Sequence, residues 1–254
     1  MSIDLLEVSK SYGTEPAVRS LSLSVQAGRL FAFLGPNGAG KTTTIKLICG
    51  LLRPDSGSVR VCGLDIRTHP REARTQLAYV PDMPFVYEKL TGRELCEFIA
   101  RVYRMNEAAA RNRMLDLATR FGMLDRLDNL TESYSHGMKQ KIALIAALLH
   151  EPRVLVVDEP MVGLDPASTR KVKDFFVELT RAGVTVFMST HTLELAESIA
   201  DQVGIIHRGQ LVAMGSVDEI LADRTKRRLE DVFLQLTEEQ REQADTAQTP
   251  RADA

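Results

Sequence analysis

Apolar residues along this chain gather either in short unbroken runs or in stripes that recur every three to four positions, and the two patterns alternate. Residues 30–34, 154–157, 185–188 and 203–207 are apolar or nearly so and of strand length, as expected of strands buried on both faces of a parallel sheet. Helical spacing lies between them. Ile45, Ile48 and Leu52 predict a helix over 41–52, and further helices are predicted over 142–149, over 169–180 with Gly183 at its end, and near 193–200. Strands alternating with helices predict an α/β fold with a mainly parallel sheet.

Two regions depart from that alternation. Residues 3–8, 21–25 and 58–61 read as strands separated by glycine-containing turns, which predicts a small N-terminal β subdomain. From about 84 to 141 the pattern is helical. Leu95, Phe98, Ile99, Val102 and Tyr103 form one stripe, and Met114, Leu117, Ala118 and Phe121 a second. Thr91, with Glu94 three positions on, is a candidate capping box for the first of these helices. The preceding Phe85-Val86-Tyr87 is unusually apolar for a connection; it either packs on its own subdomain or forms a groove for a partner.

Composition narrows the picture without deciding it. A chain of 254 residues suits one domain with an appended subdomain, enough to bury roughly 70 to 75 per cent of its unfolded surface. A net charge of −2 offers no global basic field for nucleic acid. Cys49, Cys62 and Cys96 form no C-x-x-C pair and lie in or near apolar segments, so reduced thiols are expected rather than disulfides or zinc. The longest apolar helical run, 142–149, falls far short of the ~20 residues of a membrane span, and the start has no secretion-signal pattern. The run 224–228 is basic, read as a solvated helix face or a contact for anionic lipid; beyond 238 large apolar residues vanish, and 238–254 is expected to be a disordered tail.

Candidate chemistry begins at Gly35-Pro36-Asn37-Gly38-Ala39-Gly40-Lys41-Thr42, which fits the phosphate-cradling loop G-x-x-x-x-G-K-[ST] at every fixed position. It stands between a predicted strand and a predicted helix, as the motif requires. Glycines let backbone N–H groups approach an anion at the helix N-terminus. Lys41 is then placed for the β and γ phosphates, Thr42 for Mg²⁺, and Thr43 joins the nucleotide-binding set. The run 154–157 ends in Asp158-Glu159. Carboxylates at the C-terminal edge of a buried strand suit Asp158 to hold Mg²⁺ and Glu159 to orient the water that attacks the γ-phosphate. Binding and hydrolysis of ATP are expected.

A third stretch, Tyr134-Ser135-His136-Gly137-Met138, stands shortly before the acidic strand. Here the chain resembles the ATP-binding subunits of ATP-binding-cassette (ABC) transporters, whose Leu-Ser-Gly-Gly-Gln-like signature it keeps at Ser135 and Gly137 but not at Tyr134, His136 or Met138. The resemblance implies a P-loop NTPase core with an N-terminal antiparallel β subdomain and an inserted helical subdomain at about 84–141, within an ATPase domain of 1–237. It implies that Ser135 and Gly137 contact the γ-phosphate of ATP held by the opposite subunit; read alone, Ser135 is equally a plain helix N-cap. Asp165, in Gly163-Leu164-Asp165-Pro166, matches the aspartate at the dimer interface, His191 the histidine at the γ-phosphate, and Tyr12 the ring that stacks on adenine. Asp82 stands where the family usually has a glutamine that senses Mg²⁺, so its place in the metal site is a departure. Residues 229–237 resemble the closing segment of single-cassette bacterial exporter ATPases.

The resemblance therefore implies an ATPase with ATP and Mg²⁺, working as a homodimer or as a heterodimer with a related subunit. It would drive solute movement, in the direction of export, through a separate integral membrane permease. It would lie peripherally on the cytoplasmic face of the membrane, and no nucleic acid is expected. The alternative is a soluble ABC-type ATPase acting as an ATP-switched clamp on nucleic acid or ribosomes. One P-loop, no heptad run and no cysteine cluster weigh against the clamp.

Overall fold

A computed structural model describes residues 1–222 and 229–233. The basic run 224–228, the end of the closing segment at 234–237 and the expected tail 238–254 lie outside the described residues. The order of elements is β1 (Ile3–Tyr12), β2 (Glu15–Val25), β3 (Leu30–Leu34), α1 (Lys41–Ile48), β4 (Ser56–Val61), β5 (Leu64–Asp65), α2 (Pro70–Thr75), β6 (Leu77–Val80), α3 (Gly92–Val102), α4 (Glu107–Phe121), α5 (His136–Leu148), β7 (Val154–Asp158), α6 (Pro166–Arg181), β8 (Thr185–Thr190), α7 (Leu193–Ile199), β9 (Gln202–His207), β10 (Gln210–Gly215) and α8 (Val217–Ala222).

Two sheets result. The larger runs β10-β9-β3-β8-β7-β6, parallel from β9 to β6 with β10 antiparallel at one edge. The smaller is antiparallel, β2-β1-β4-β5. The continuous apolar runs are what join them. Side chains alternate across a strand, so Phe31 and Phe33 of β3 and Phe187 of β8 share one core with Ile3, Leu5 and Val8 of the small sheet. Their rings lie 5.4 to 6.4 Å apart. Leu30, Ala32, Leu34, Val186 and Met188 face the other way, into a core shared with α4, α5 and α6. Each central strand thus needs apolar residues at both parities, which is why these runs do not alternate.

The elements differ from the sequence expectation chiefly at their ends. α1 stops at Ile48, and Gly50 turns the chain with φ 65°, so Leu52 packs from beyond the helix instead of continuing its stripe. α5 and α6 start earlier than their apolar stripes, because Ser135 and Asp165 cap their first turns. β1 and β2 extend through polar residues to a hairpin at Gly13, held by backbone pairing from Ile3↔Val25 to Tyr12↔Glu15. In α3 the stripe splits: Leu95 is buried, whereas Phe98 and Val102 are exposed and Phe98 meets the Tyr87 ring edge-on at 5.6 Å. Among the described residues no helix is long and apolar enough to cross a membrane.

Candidate active site

The loop at 35–40 takes its shape from close contacts that exclude side chains. A Cβ on Gly35 would lie 2.4 Å from the Ile206 carbonyl oxygen, and one on Gly40 2.5 Å from that of Ala17. Gly40 also holds φ 108° as N-cap of α1, a conformation L side chains rarely adopt. The turn between β9 and β10 braces the loop from outside, with Gly209 N–H donating to the Ala39 carbonyl at 2.9 Å. Pro36 packs partly buried, and Asn37 and Gly38 are exposed at the rim.

Lys41 opens α1 and is buried, its ammonium donating to the carbonyls of Gly35 at 2.7 Å and Pro36 at 3.2 Å. Burial pulls its pKa down, against the opposing pull of the nearby Glu159 and Asp158 carboxylates. Thr42 Oγ1 donates to Asp158 Oδ2 at 3.0 Å. A hydroxyl and a carboxylate converging on one point form an oxygen-only donor pair, the set that suits a hard divalent cation completed by substrate phosphates and water. Mg²⁺ fits these residues. Thr43 follows on α1, half-buried.

The end of β8 holds both acids of β7. Ser189 Oγ donates to Asp158 Oδ1, Thr190 Oγ1 donates to Glu159 Oε2 at 3.2 Å, and His191 Nδ1 lies 2.8 Å from Glu159 Oε1. A carboxylate only accepts, so Nδ1 carries the hydrogen in this contact. Glu159 itself sits at φ 48°, its N–H bonded to the Ser189 carbonyl at 3.1 Å. The carboxylate is thus oriented by both its backbone and its two oxygens. Ser189 and Thr190 escape motif reading, although two hydroxyls ending an apolar strand are the visible sign.

Other expected site residues stand apart from this cluster. Ser135 caps α5 through Met138 N–H at 3.3 Å, and both oxygens of Asp165 accept from Ser168, which holds the Asp165 carboxyl below its usual range. These two N-termini adjoin: a Cβ on Gly137 would lie 2.8 Å from the Gly163 carbonyl, and His136 packs onto Gly163. Asp82 is exposed just beyond β6 and accepts from Met83 N–H at 2.8 Å. Tyr12 is half-exposed at the end of β1, on the hairpin whose second strand contributes Ala17 to the back of the phosphate loop.

With this geometry in place, similarity to known proteins is informative. A model of the ABC transporter family matches residues 18–162. The chain is 35% identical over 230 residues to the linearmycin resistance ATP-binding protein LnrL of Bacillus subtilis, covering 91% of this chain and 73% of that one. It is 37% identical to the daunorubicin/doxorubicin resistance ATP-binding protein DrrA of Streptomyces peucetius, over 86% of this chain and 66% of that one. A solved ATP-binding subunit of an ABC transporter superposes with a TM-score of 0.89 at 33% identity, across 93% of this chain and 100% of that one. Relatives named in this way favour the transporter reading over a clamp on nucleic acid or ribosomes. The chain belongs to the ABC transporter family, as one of its ATP-binding, ATP-hydrolysing subunits.

Proposed function

We propose that this subunit powers export of drug-like solutes through a separate membrane permease. ATP-driven closure of two ATPase subunits would move the permease, and hydrolysis would reopen it. The ATPase domain would extend over 1–237, with its helical subdomain at about 84–141. The observation that carries the chemistry is the grip of Thr190 and His191 on Glu159, beside the Thr42–Asp158 pair and buried Lys41.

In this reading the N–H groups of 35–43 cradle the phosphates, Lys41 neutralises the β and γ charge, and Tyr12 stacks on adenine. Thr42 and Asp158 would hold Mg²⁺, with Asp82 as a further oxygen donor; when bound, the ion would supply positive charge against that of the phosphates. Glu159 accepts a proton from the attacking water. His191 would steady Glu159 through Nδ1–H, and an Nε2–H on the same ring would donate to the γ-phosphate oxygens. Ser135 and Gly137 of one subunit and Asp165 at the interface complete the site of the other subunit, as a homodimer or a heterodimer.

An exposed apolar row supports the membrane partner. Met83 is 76% and Phe85 82% exposed, and the Phe85, Tyr87 and Phe98 rings meet edge-on at 5.7 and 5.6 Å. Such a patch is suited to a permease's cytoplasmic helix and would hold the subunit at the cytoplasmic membrane face. The test is to tag the protein in its native cells, solubilise membranes in mild detergent and identify what co-purifies. A stoichiometric multi-span protein is expected; a purely cytosolic pool on ribosomes or DNA overturns the proposal. In the purified complex, Glu159→Gln should retain ATP binding, accumulate an ATP-bound dimer and lose about 100-fold or more in turnover. Undiminished turnover removes Glu159 as base.

A further inference from the structure

Ser189 stands at a position where an alkyl side chain would be the ordinary choice. It shares a sheet row with Asp158 on β7 and Phe33 on β3, two residues beyond Phe187 on the same face. That face packs Phe31, Phe33, Phe187, Val154 and Val156 into the smaller core. Ser189 is 0% exposed and Asp158 2%. A hydroxyl buried at the end of such a row is costly unless it is bonded. Its bond is to Asp158 Oδ1.

The consequence lies in what the bond does to the carboxylate. The terminal torsion of aspartate is broad, so the carboxylate plane is free to swing unless both oxygens are held. Ser189 holds Oδ1, and Oδ2 accepts from Thr42 Oγ1 at 3.0 Å. The Ser189 carbonyl also accepts the Glu159 N–H, so one residue ties down the backbone of one acid and the side chain of the other.

We propose that Ser189 is a positioning residue for the metal site: its hydroxyl sets the rotation of the Asp158 carboxylate, so that Oδ2 is presented at Thr42. The inference rests on the reading above that Thr42 and Asp158 hold Mg²⁺. Ser189 touches neither metal nor nucleotide in this role. It acts as an outer partner of a ligand, a kind of residue whose loss commonly weakens metal binding by about 10- to 100-fold.

The experiment uses the full chain and reads metal affinity apart from turnover. Mn²⁺, visible by electron paramagnetic resonance, stands in for Mg²⁺ and is titrated in the presence of saturating AMP-PNP; AMP-PNP affinity is measured separately in EDTA. Ser189→Ala should weaken Mn²⁺ binding by about tenfold or more, while AMP-PNP affinity in EDTA stays within about twofold of the parent. Asp158→Asn separates the two levels of inference. If it leaves Mn²⁺ affinity intact, the metal-site reading fails and the proposal with it. If Asp158→Asn weakens Mn²⁺ but Ser189→Ala does not, the metal site stands and the positioning role is overturned. Loss of AMP-PNP binding in EDTA by Ser189→Ala also overturns it, because Ser189 would then support the fold rather than the ligand.

Discussion

Single residues at the end of β7 and β8 show how much chemistry a few oxygen atoms decide. Asp158, Glu159, Ser189, Thr190 and His191 form one bonded set in which every hydrogen bond ends on one of the two acids. Asp82 stands outside that set, with its side chain turned to the Met83 N–H. Its proposed part is to attract the metal through water, and here charge matters more than reach. An amide accepts a hydrogen bond but carries no charge, so Asp82→Gln should raise the Mg²⁺ concentration for half-maximal turnover by about two- to fivefold. A Mg²⁺ titration with no change would leave Asp82 as a loop residue that caps its neighbour. Lys41 stood out from the glycine-loop motif, and Asp158 and Glu159 from an apolar run ending in two acids once that loop was read beside it. Ser189 was not, because nothing in a linear chain says that residue 189 will lie opposite residue 158 in a parallel register.

At the scale of elements, caps and turns set the boundaries that hydrophobic stripes leave open. Thr91 and Glu94 form the expected capping box, with Glu94 N–H donating to Thr91 Oγ1 at 3.1 Å and Thr91 N–H to Glu94 Oε2 at 2.8 Å. The Thr91 N–H and the Thr91 hydroxyl, which donates to the same Glu94 Oε2 at 2.9 Å, hold the Glu94 carboxyl below its usual range. Thr91→Ala should lower the melting temperature by about 2 to 4 °C. An unchanged melting temperature would mean that packing of Leu95 and Cys96 holds α3 without its cap. Short elements were the least legible. β6 has only Leu77 to Val80, and its identity as a strand comes from pairing with residues 154–157 of β7 rather than from local pattern. Phe98 and Val102 carry the right spacing for the core yet remain exposed. Spacing identifies a helix face, and only the neighbours decide whether two adjacent faces are both covered.

For the whole molecule, burial of ionisable groups predicts a stability that declines in alkali. Burial pushes the Cys96 thiol up to about 12 and raises Cys49 further, and it also raises Tyr79, Tyr103 and Tyr134. Unfolded thiols ionise near about 8.5, so above that pH the unfolded chain releases protons that the folded chain keeps. Stability is therefore fully present below about pH 8.5 and falls as pH rises towards the folded values. Lys41, with its lowered pKa, opposes this trend as a single group. The urea midpoint should drop between pH 8 and 10, and Cys49→Ala with Cys96→Ala should flatten the drop. A double variant with the parent's slope would show that these two thiols contribute nothing to it. What the sequence determined by itself was the alternation of buried strands and helices, the phosphate loop and the acidic pair, because these depend on local spacing and on chemistry confined to a few adjacent residues. What only the tertiary structure decided was which strands are neighbours. Register across β7 and β8 brings Ser189, Thr190 and His191 to the two acids, and the packing of β2 and the β9–β10 turn closes the back of the loop, through contacts whose partners lie far apart in the chain.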